Sequence, residues 1–93
     1  MIKNRMFLSP DGFMFAAYHA HPAGKPKAGI VVVQENFGVN VHIREVCDGF
    51  AEDGYEVIAP ALYDRVEKYV ELGYEQADRE YGRKIRNKLG WDN

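Results

Sequence analysis

The sequence predicts an α/β fold, and three successive segments carry this prediction. A continuous run of mostly β-branched residues occupies Ala28–Gln34, an amphipathic helix pattern begins after Asn40, and a second short apolar segment covers Tyr55–Ala59. Strand, helix and strand in this order predict a right-handed βαβ unit with two parallel strands. With 93 residues, we expect one small domain, which excludes a two-domain enzyme.

The N-terminal part predicts a turn, a strand and a loop. Pro10-Asp11-Gly12 is turn chemistry, because proline restricts one backbone angle and glycine tolerates a positive φ. The aromatic-rich segment Phe13–Ala20 is too short for a helix and predicts a strand. Two prolines and a glycine in His21–Lys27 then predict a loop, which we interpret as a hairpin connection to the next strand.

The run Ala28–Gln34 predicts a strand buried on both faces, as in the interior of a parallel sheet. Asn40 is a suitable N-cap for the helix that follows. We expect one face of that helix to carry five apolar side chains: Ile43, Val46, Cys47, Phe50 and Ala51.

Later signals set the remaining boundaries. Arg44 and Asp48 are spaced for an ion pair on the first helix, and Gly54 is its left-handed stop. Pro60 ends the second strand of the unit. The charged C-terminal part predicts another helix with a narrow apolar stripe, formed by Tyr74, Ala77, Tyr81, Ile85 and Leu89. Two or three strands and one good helix cannot cover both faces of a buried parallel strand, so the predicted architecture is incomplete.

Composition excludes several function classes. Twelve Lys and Arg against fourteen Asp and Glu give a net charge of −2, so the chain has no general electrostatic attraction for nucleic acid. The longest uncharged apolar run, Ala28–Val33, is too short to cross a membrane. A turn signal closely follows Met1–Met6, so we expect no signal peptide and a cytoplasmic location, which the lone Cys47 also suits.

The candidates for a covalent nucleophile are few, because the chain has one serine, one cysteine and no threonine. Cys47-Asp48-Gly49 is half of a nucleophile elbow, but Glu45 stands where the first glycine belongs and the position lies within a predicted helix. We therefore interpret Cys47 as a small core side chain. We interpret Ser9, next to Pro10, as a turn residue.

The three histidines are weak metal-ligand candidates. His19 and His21 would point to the same face of a strand, and His42 could add a third nitrogen. Zinc sites usually draw on more ligands than this, so solvated or edge histidines are the favoured interpretation. We predict no metal and no cofactor.

The loop Gln34–Asn40 is the most informative stretch. It follows the predicted parallel strand, and ligands of open α/β sheets bind at the carboxyl ends of such strands. Poor solvation there would raise the pKa of Glu35 and suit it to proton transfer. The backbone N–H of Asn36 could donate to a developing oxyanion. The alternative is a loop carboxylate that merely accepts hydrogen bonds from nearby N–H groups.

The ordered motifs from Asp11 to Arg65 resemble the N-terminal part of the dienelactone hydrolase family, the carboxymethylenebutenolidase-like α/β hydrolases. The matching residues are Asp11-Gly12, Pro22-Ala23, Ile30–Val33, Gln34-Glu35-x-Phe37-Gly38-Val39-Asn40, Ile43-Arg44, Asp53-Gly54-Tyr55 and Ala59-Pro60-x-Leu62-Tyr63-Asp64-Arg65. A looser likeness continues from Gly73 to Trp91. The resemblance implies an incomplete α/β-hydrolase fold, with residues 1–93 as the N-terminal part of a single domain.

The resemblance also implies hydrolysis of a small cyclic ester by a Cys/His/Asp triad. Glu35 matches the family glutamate that helps to form the thiolate, Asn36 matches the oxyanion-hole position, and Phe37 matches a residue that lines the substrate pocket. An arginine that holds the substrate carboxylate is expected at Arg79, Arg83 or Arg86.

The family triad follows the matched region, so we expect this chain alone to be inactive. The alternative is a small non-catalytic α/β module that self-associates or binds a protein partner.

Overall fold

A computed structural model of the protein describes residues 5–90. The strands are β1 (Arg5–Leu8), β2 (Met14–Ala20), β3 (Gly29–Val31) and β4 (Glu56–Pro60). The helices are α1 (Val41–Glu52) and α2 (Gln76–Leu89), and a short 3₁₀ turn spans Leu62–Arg65. The expected likeness around Trp91 lies outside the described residues. Neither helix of the described part has the length and apolar character needed to cross a membrane.

The four strands form one mixed sheet in the order β1-β2-β4-β3. β3 and β4 are parallel and are connected by α1, which confirms the predicted strand-helix-strand unit. The segment between β2 and β3 is not a hairpin connection, because β4 lies between these strands and pairs antiparallel with β2. The hairpin instead joins β1, which the sequence pattern did not predict, to β2.

The predicted burial of the strand after Ala28 is wrong. β3 has only three residues and forms an edge of the described sheet. Val31 and Val33, the latter just after the strand, are 64% and 58% exposed. The physical reason is that β3 has β4 as its one strand neighbour within residues 5–90, so its β-branched side chains lack the second layer that would bury them.

Helix α1 packs on one face of the sheet. Asn40 caps its first turn as predicted, since Asn40 Oδ1 accepts from Ile43 N at 3.2 Å. Gly54 follows the helix with φ +102°, which confirms the left-handed stop. The core between α1 and the sheet consists of Ala20, Val39, Ile43, Cys47, Ala51, Val57 and Ala59. Phe50 is exposed, so the five-residue apolar face is narrower than predicted.

The second strand of the unit, β4, ends at Pro60 as predicted, and Pro60 itself pairs with Ala17. The prediction for the C-terminal helix changes. Helix α2 begins after Tyr74, and Ala77 and Tyr81 are exposed. Its buried residues are Gly82 and Ile85; Ile85 belongs to a second core with Tyr63 and Val70, against which Leu89 packs. Glycine at position 82 lets the helix approach the loop before α1 closely.

Candidate active-site loop

The loop between β3 and α1 contains the predicted site residues and depends on Gly38. Gly38 has φ +82°, and its N–H donates to the carbonyl of Glu35 at 3.4 Å. A Cβ at this position would lie 2.1 Å from the carbonyl oxygen of Val70. Only glycine can adopt this backbone conformation with another carbonyl so close. Gly38 therefore fixes the path of the turn around Asn36 and Phe37.

The segment Val70–Leu72 supports the loop from one side. Leu72 N donates to the carbonyl of Phe37 at 2.8 Å, and Gly38 forms a bridge to Glu71. Arg44 on α1 does not pair with Asp48 as predicted. Its Nη1 lies 2.7 Å from Glu71 Oε1 and donates to the carbonyl of Val39 at 2.9 Å. Long-range contacts therefore hold the loop, α1 and this segment together.

A chain of hydrogen bonds leads from the helix cap to Glu35. Asn40 Nδ2 donates to the carbonyl of Leu72 at 3.0 Å and to the Tyr74 hydroxyl at 3.3 Å. The Tyr74 hydroxyl donates to Glu35 Oε1 at 3.4 Å. The ring of Phe37 packs edge-on against Tyr74, with the ring centroids 4.5 Å apart. Tyr74 thus orients both the carboxylate and the aromatic ring of the loop.

A cavity of about 120 Å³ lies beside the loop. It is lined by Gln34, Glu35, Asn36, Leu62, Tyr63 and Arg86. Gln34 closes one wall, because Gln34 Oε1 accepts from Leu62 N at 3.0 Å and Gln34 Nε2 donates to the carbonyl of Glu35 at 3.0 Å. The backbone N–H of Asn36 donates to no acceptor within residues 5–90. Glu35 and Asn36, which follow one another in the chain, therefore both line one cavity.

Arg86 gives this cavity a positive charge. Its Nε atom is buried and has no hydrogen-bond partner among the described residues. Arg79 and Arg83 are exposed on the same helix and do not line the cavity. A buried donor without a partner is costly in a folded protein. The guanidinium charge beside the cavity would attract an anionic group.

The three predicted site residues occupy different environments. Glu35 is exposed, so the poor solvation expected for it is not observed. The reason is that the adjoining depression, which Glu35 shares with His42 and Tyr74, is open to solvent. Phe37 packs against Tyr74 and is not part of the 120 Å³ cavity lining. Asn36 is half-buried, and its carbonyl lies against Gly82.

Neither Cys47 nor Ser9 has the environment of a nucleophile. Cys47 is fully buried in the core under α1, and burial raises the pKa of its thiol to about 11. A protonated, inaccessible thiol is chemically inert, which confirms the core interpretation. Ser9 lies in the β1–β2 hairpin, where its hydroxyl donates to Asp11 and to the carbonyl of Phe13. This contact pattern confirms the turn interpretation of Ser9.

The histidines separate into two environments. His42 is exposed beside Glu35 and Tyr74. His19 is not a solvated edge residue as favoured from the sequence: its side chain is 17% exposed and its Nε2 lies 2.9 Å from Glu56 Oε2. His21 Nδ1 lies 3.4 Å from the other oxygen of Glu56. Glu56 was not recognised as a site residue, because it is close to these histidines only through strand pairing.

Comparison with known proteins identifies the chain's relatives. A sequence model of the dienelactone hydrolase family matches residues 15–93. A protein of Synechocystis sp. named "Putative carboxymethylenebutenolidase" is 40% identical over 88 residues, covering 92% of this chain and 36% of the relative. Carboxymethylenebutenolidase of Pseudomonas putida is 42% identical over 57 residues, covering 61% of this chain and 24% of the relative.

A solved structure from Klebsiella pneumoniae, described as a "Putative Dienelactone Hydrolase", is 40% identical. It superposes with a TM-score of 0.56 over 67% of this chain and 29% of its own. The chain therefore spans 24 to 36% of the length of these three relatives. The described residues form part of an α/β-hydrolase fold. By the match over residues 15–93 and by its relatives, the chain belongs to the dienelactone hydrolase family.

Proposed function

We propose that this chain is the N-terminal part of a single-domain, cytoplasmic ester hydrolase that acts on small cyclic esters of the dienelactone type. The observation that carries the proposal is that Glu35 and Asn36 follow the carboxyl end of β3 and line one cavity, and that the Asn36 N–H has no acceptor within residues 5–90. Ligands of α/β sheets bind at this end of the strands. The name of the Pseudomonas putida relative supports the same reaction class.

The proposed roles follow from the groups at the loop. The Glu35 carboxylate accepts the proton of a cysteine thiol that the C-terminal part of the enzyme supplies, together with the aspartate and histidine of the triad. The resulting thiolate attacks the ester carbonyl, and the Asn36 N–H donates to the oxyanion that develops. Phe37 lines the substrate pocket on the Tyr74 side of the loop.

Arg86 is the proposed carboxylate-binding arginine among the three candidates. Arg79 and Arg83 are exposed, whereas Arg86 lines the cavity of Glu35 and Asn36 and has a buried Nε without a partner among the described residues. A substrate carboxylate in this cavity would gain a charge-assisted hydrogen bond from the Arg86 guanidinium.

The test is Glu35→Gln in a chain joined to the C-terminal part of a relative. The amide has nearly the same shape but cannot accept the thiol proton, so turnover should fall about 100- to 10,000-fold. Turnover should be measured with a cyclic ester and unfolding by a melting curve. Glu45→Gln, an exposed glutamate on α1, is the matched control and should change neither measurement. Unchanged turnover with a lower melting temperature would make Glu35 a structural carboxylate.

A second prediction concerns the 93-residue chain without added sequence. It should hydrolyse p-nitrophenyl esters no faster than background, because oxyanion-hole donors contribute little without an attacking group. Cys47→Ala should give the same background rate, since Cys47 is buried and protonated. Saturable activity that disappears in the Cys47→Ala variant would overturn both the proposal and the assignment of Cys47 to the core.

A non-catalytic module that self-associates is the second candidate function. The observation that favours it is the exposure of Val31 in β3, at the edge of the described sheet, and of Val33 just after the strand. Coding sequence downstream separates the two candidates: a Gly-x-Cys-x-Gly segment favours the hydrolase, and its absence favours the module.

A further inference from the structure

His19, His21 and Glu56 form a cluster at the end of the sheet opposite the active-site loop. One ligand atom from each residue lies within 4.8 Å of the others. The two Glu56 oxygens lie 2.9 Å from His19 Nε2 and 3.4 Å from His21 Nδ1. Glu56 pairs with Gly29 at the amino end of β3, whereas Glu35 follows the carboxyl end of that strand. The cluster is therefore separate from the loop described above.

The sheet register explains why these three side chains converge. His19 is opposite Ile58 and Ala20 is opposite Val57, so the same antiparallel register places His21 opposite Glu56. Side chains two residues apart on a strand share a face, and residues directly opposite share it too. His19, His21 and Glu56 thus lie on one face of the sheet. Helix α1 packs on the other face, against Val57 and Ala59.

The donor set matches a transition-metal site. Two imidazole nitrogens and one carboxylate are the protein ligands of several zinc sites, with the fourth position left open. At metal–ligand distances of about 2.0 to 2.1 Å, tetrahedral ligand atoms are about 3.3 Å apart. The ligand atoms lie within 4.8 Å of one another, and each imidazole is 2.9 to 3.4 Å from one of the two Glu56 oxygens, so small side-chain movements would bring three donors to these spacings.

The charges around the cluster also bear on cation binding. Glu56 supplies the negatively charged ligand of the set, and its side chain is 40% exposed, so an ion can reach it from solvent. Arg5 lines the same groove and opposes a bound cation. An ordinary ion pair between Glu56 and the histidines accounts for the same contacts without a metal, so the two explanations must be separated by experiment.

We propose that His19, His21 and Glu56 bind one divalent cation of the Zn²⁺ type and that this ion ties β2 to β4. The site is structural: it lies away from Glu35 and takes no part in the proposed hydrolysis. Because Glu56 is far from the histidines in sequence, the complete site exists only in the folded chain. Zn²⁺ should therefore bind with one-to-one stoichiometry and raise the melting temperature.

The experiment titrates the metal-free 93-residue chain with Zn²⁺ by calorimetry, and Co²⁺ absorption reports the coordination geometry. His21→Gln and Glu56→Gln should each weaken Zn²⁺ binding at least about tenfold, the loss seen even for outer-shell partners of metal ligands. His42→Gln removes the third histidine of the chain and is the matched control. It should bind Zn²⁺ as the wild type does. Circular dichroism checks that each variant keeps the wild-type fold.

Three results would overturn the proposal. The first is a wild-type chain without one-to-one binding up to millimolar Zn²⁺. The second is wild-type affinity in Glu56→Gln, which would mean that the two histidines, close in sequence, bind the ion without Glu56. The third is a loss of Zn²⁺ affinity in His42→Gln as large as that in His21→Gln. If Glu56→Gln fails to fold, His21→Gln still decides, because the side chain of His21 is 57% exposed and its replacement leaves the core unchanged.

Discussion

Gly38 shows how a single residue controls the candidate site. Its left-handed backbone turns the chain between Glu35 and α1, and its missing side chain lets the Val70 carbonyl pack directly on the loop. The two requirements are separate, because φ is a local property and the contact with Val70 comes from a distant segment. The choice of residue at position 38 therefore already depends on a tertiary contact.

Gly38→Ala should lower the free energy of unfolding by about 2 to 4 kcal/mol, from left-handed strain plus the collision with Val70. Gly12→Ala is the matched control: Gly12 has φ +89°, but a Cβ added there would meet no atom within 4 Å. The control should lose only about 1 to 2 kcal/mol. Chemical denaturation of both variants measures the difference. Equal losses would show that the close contact with Val70 does not constrain the loop.

Sequence reasoning located Glu35 and Asn36 but not their partners. The motif after β3 identified the loop, because strand ends and turn residues leave local patterns. Tyr74 donates to Glu35 across 39 positions, and Arg86 reaches the cavity from another helix. Such contacts depend on where α2 packs, and that packing in turn depends on Gly82, which the apolar stripe did not include. The expected burial of Glu35 was wrong because the depression beside it is open to solvent.

At the scale of elements, Asn40 connects helix α1 to the segment that supports the loop. Its side-chain oxygen caps the helix, while its amide nitrogen donates to Leu72 and Tyr74. The cap was predictable from the residue type and its position before an apolar pattern. The contacts of the amide nitrogen were not, because they involve residues more than 30 positions away.

Asn40→Ala should lower the free energy of unfolding by about 2 kcal/mol, since it removes both the cap and the two amide contacts. Asn40→Ser keeps a good capping oxygen and loses the amide contacts, so it should lose about 1 kcal/mol. Thermal or chemical unfolding of the wild type and the two variants gives the order of their free energies of unfolding. If the serine variant equals the wild type, the contacts with Leu72 and Tyr74 contribute nothing; if it equals the alanine variant, the cap contributes nothing.

At the scale of the whole molecule, the described sheet has an open edge. β3 has an unpaired side within residues 5–90, and Val31 and Val33 extend the apolar surface there. Exposed strand edges with apolar side chains recruit other chains. This open edge is the physical basis for the expected self-association. The chain also spans only 36% of the length of the Synechocystis relative.

The 93-residue chain should associate at micromolar concentration and bind a dye that reports exposed apolar surface. Val31→Lys should reduce both, because a charge on an edge strand opposes pairing, and Val33→Lys should do so by breaking the apolar surface just after that strand. Val41→Lys is the matched control, since Val41 is similarly exposed at 59% but lies on α1. Sedimentation and dye fluorescence are the measurements. A compact monomer without dye binding would contradict this prediction and favour a self-sufficient module.

The sequence by itself determined the local features of this protein: the β3-α1-β4 unit, the cap at Asn40, the stop at Gly54 and the inert position of Cys47. Each depends on residue types within about one helical turn or one strand. Only the tertiary structure decided that β4 lies between β2 and β3, that Arg44 pairs with Glu71, and that His19, His21 and Glu56 converge. These contacts depend on strand order and register, which join segments that no local pattern connects.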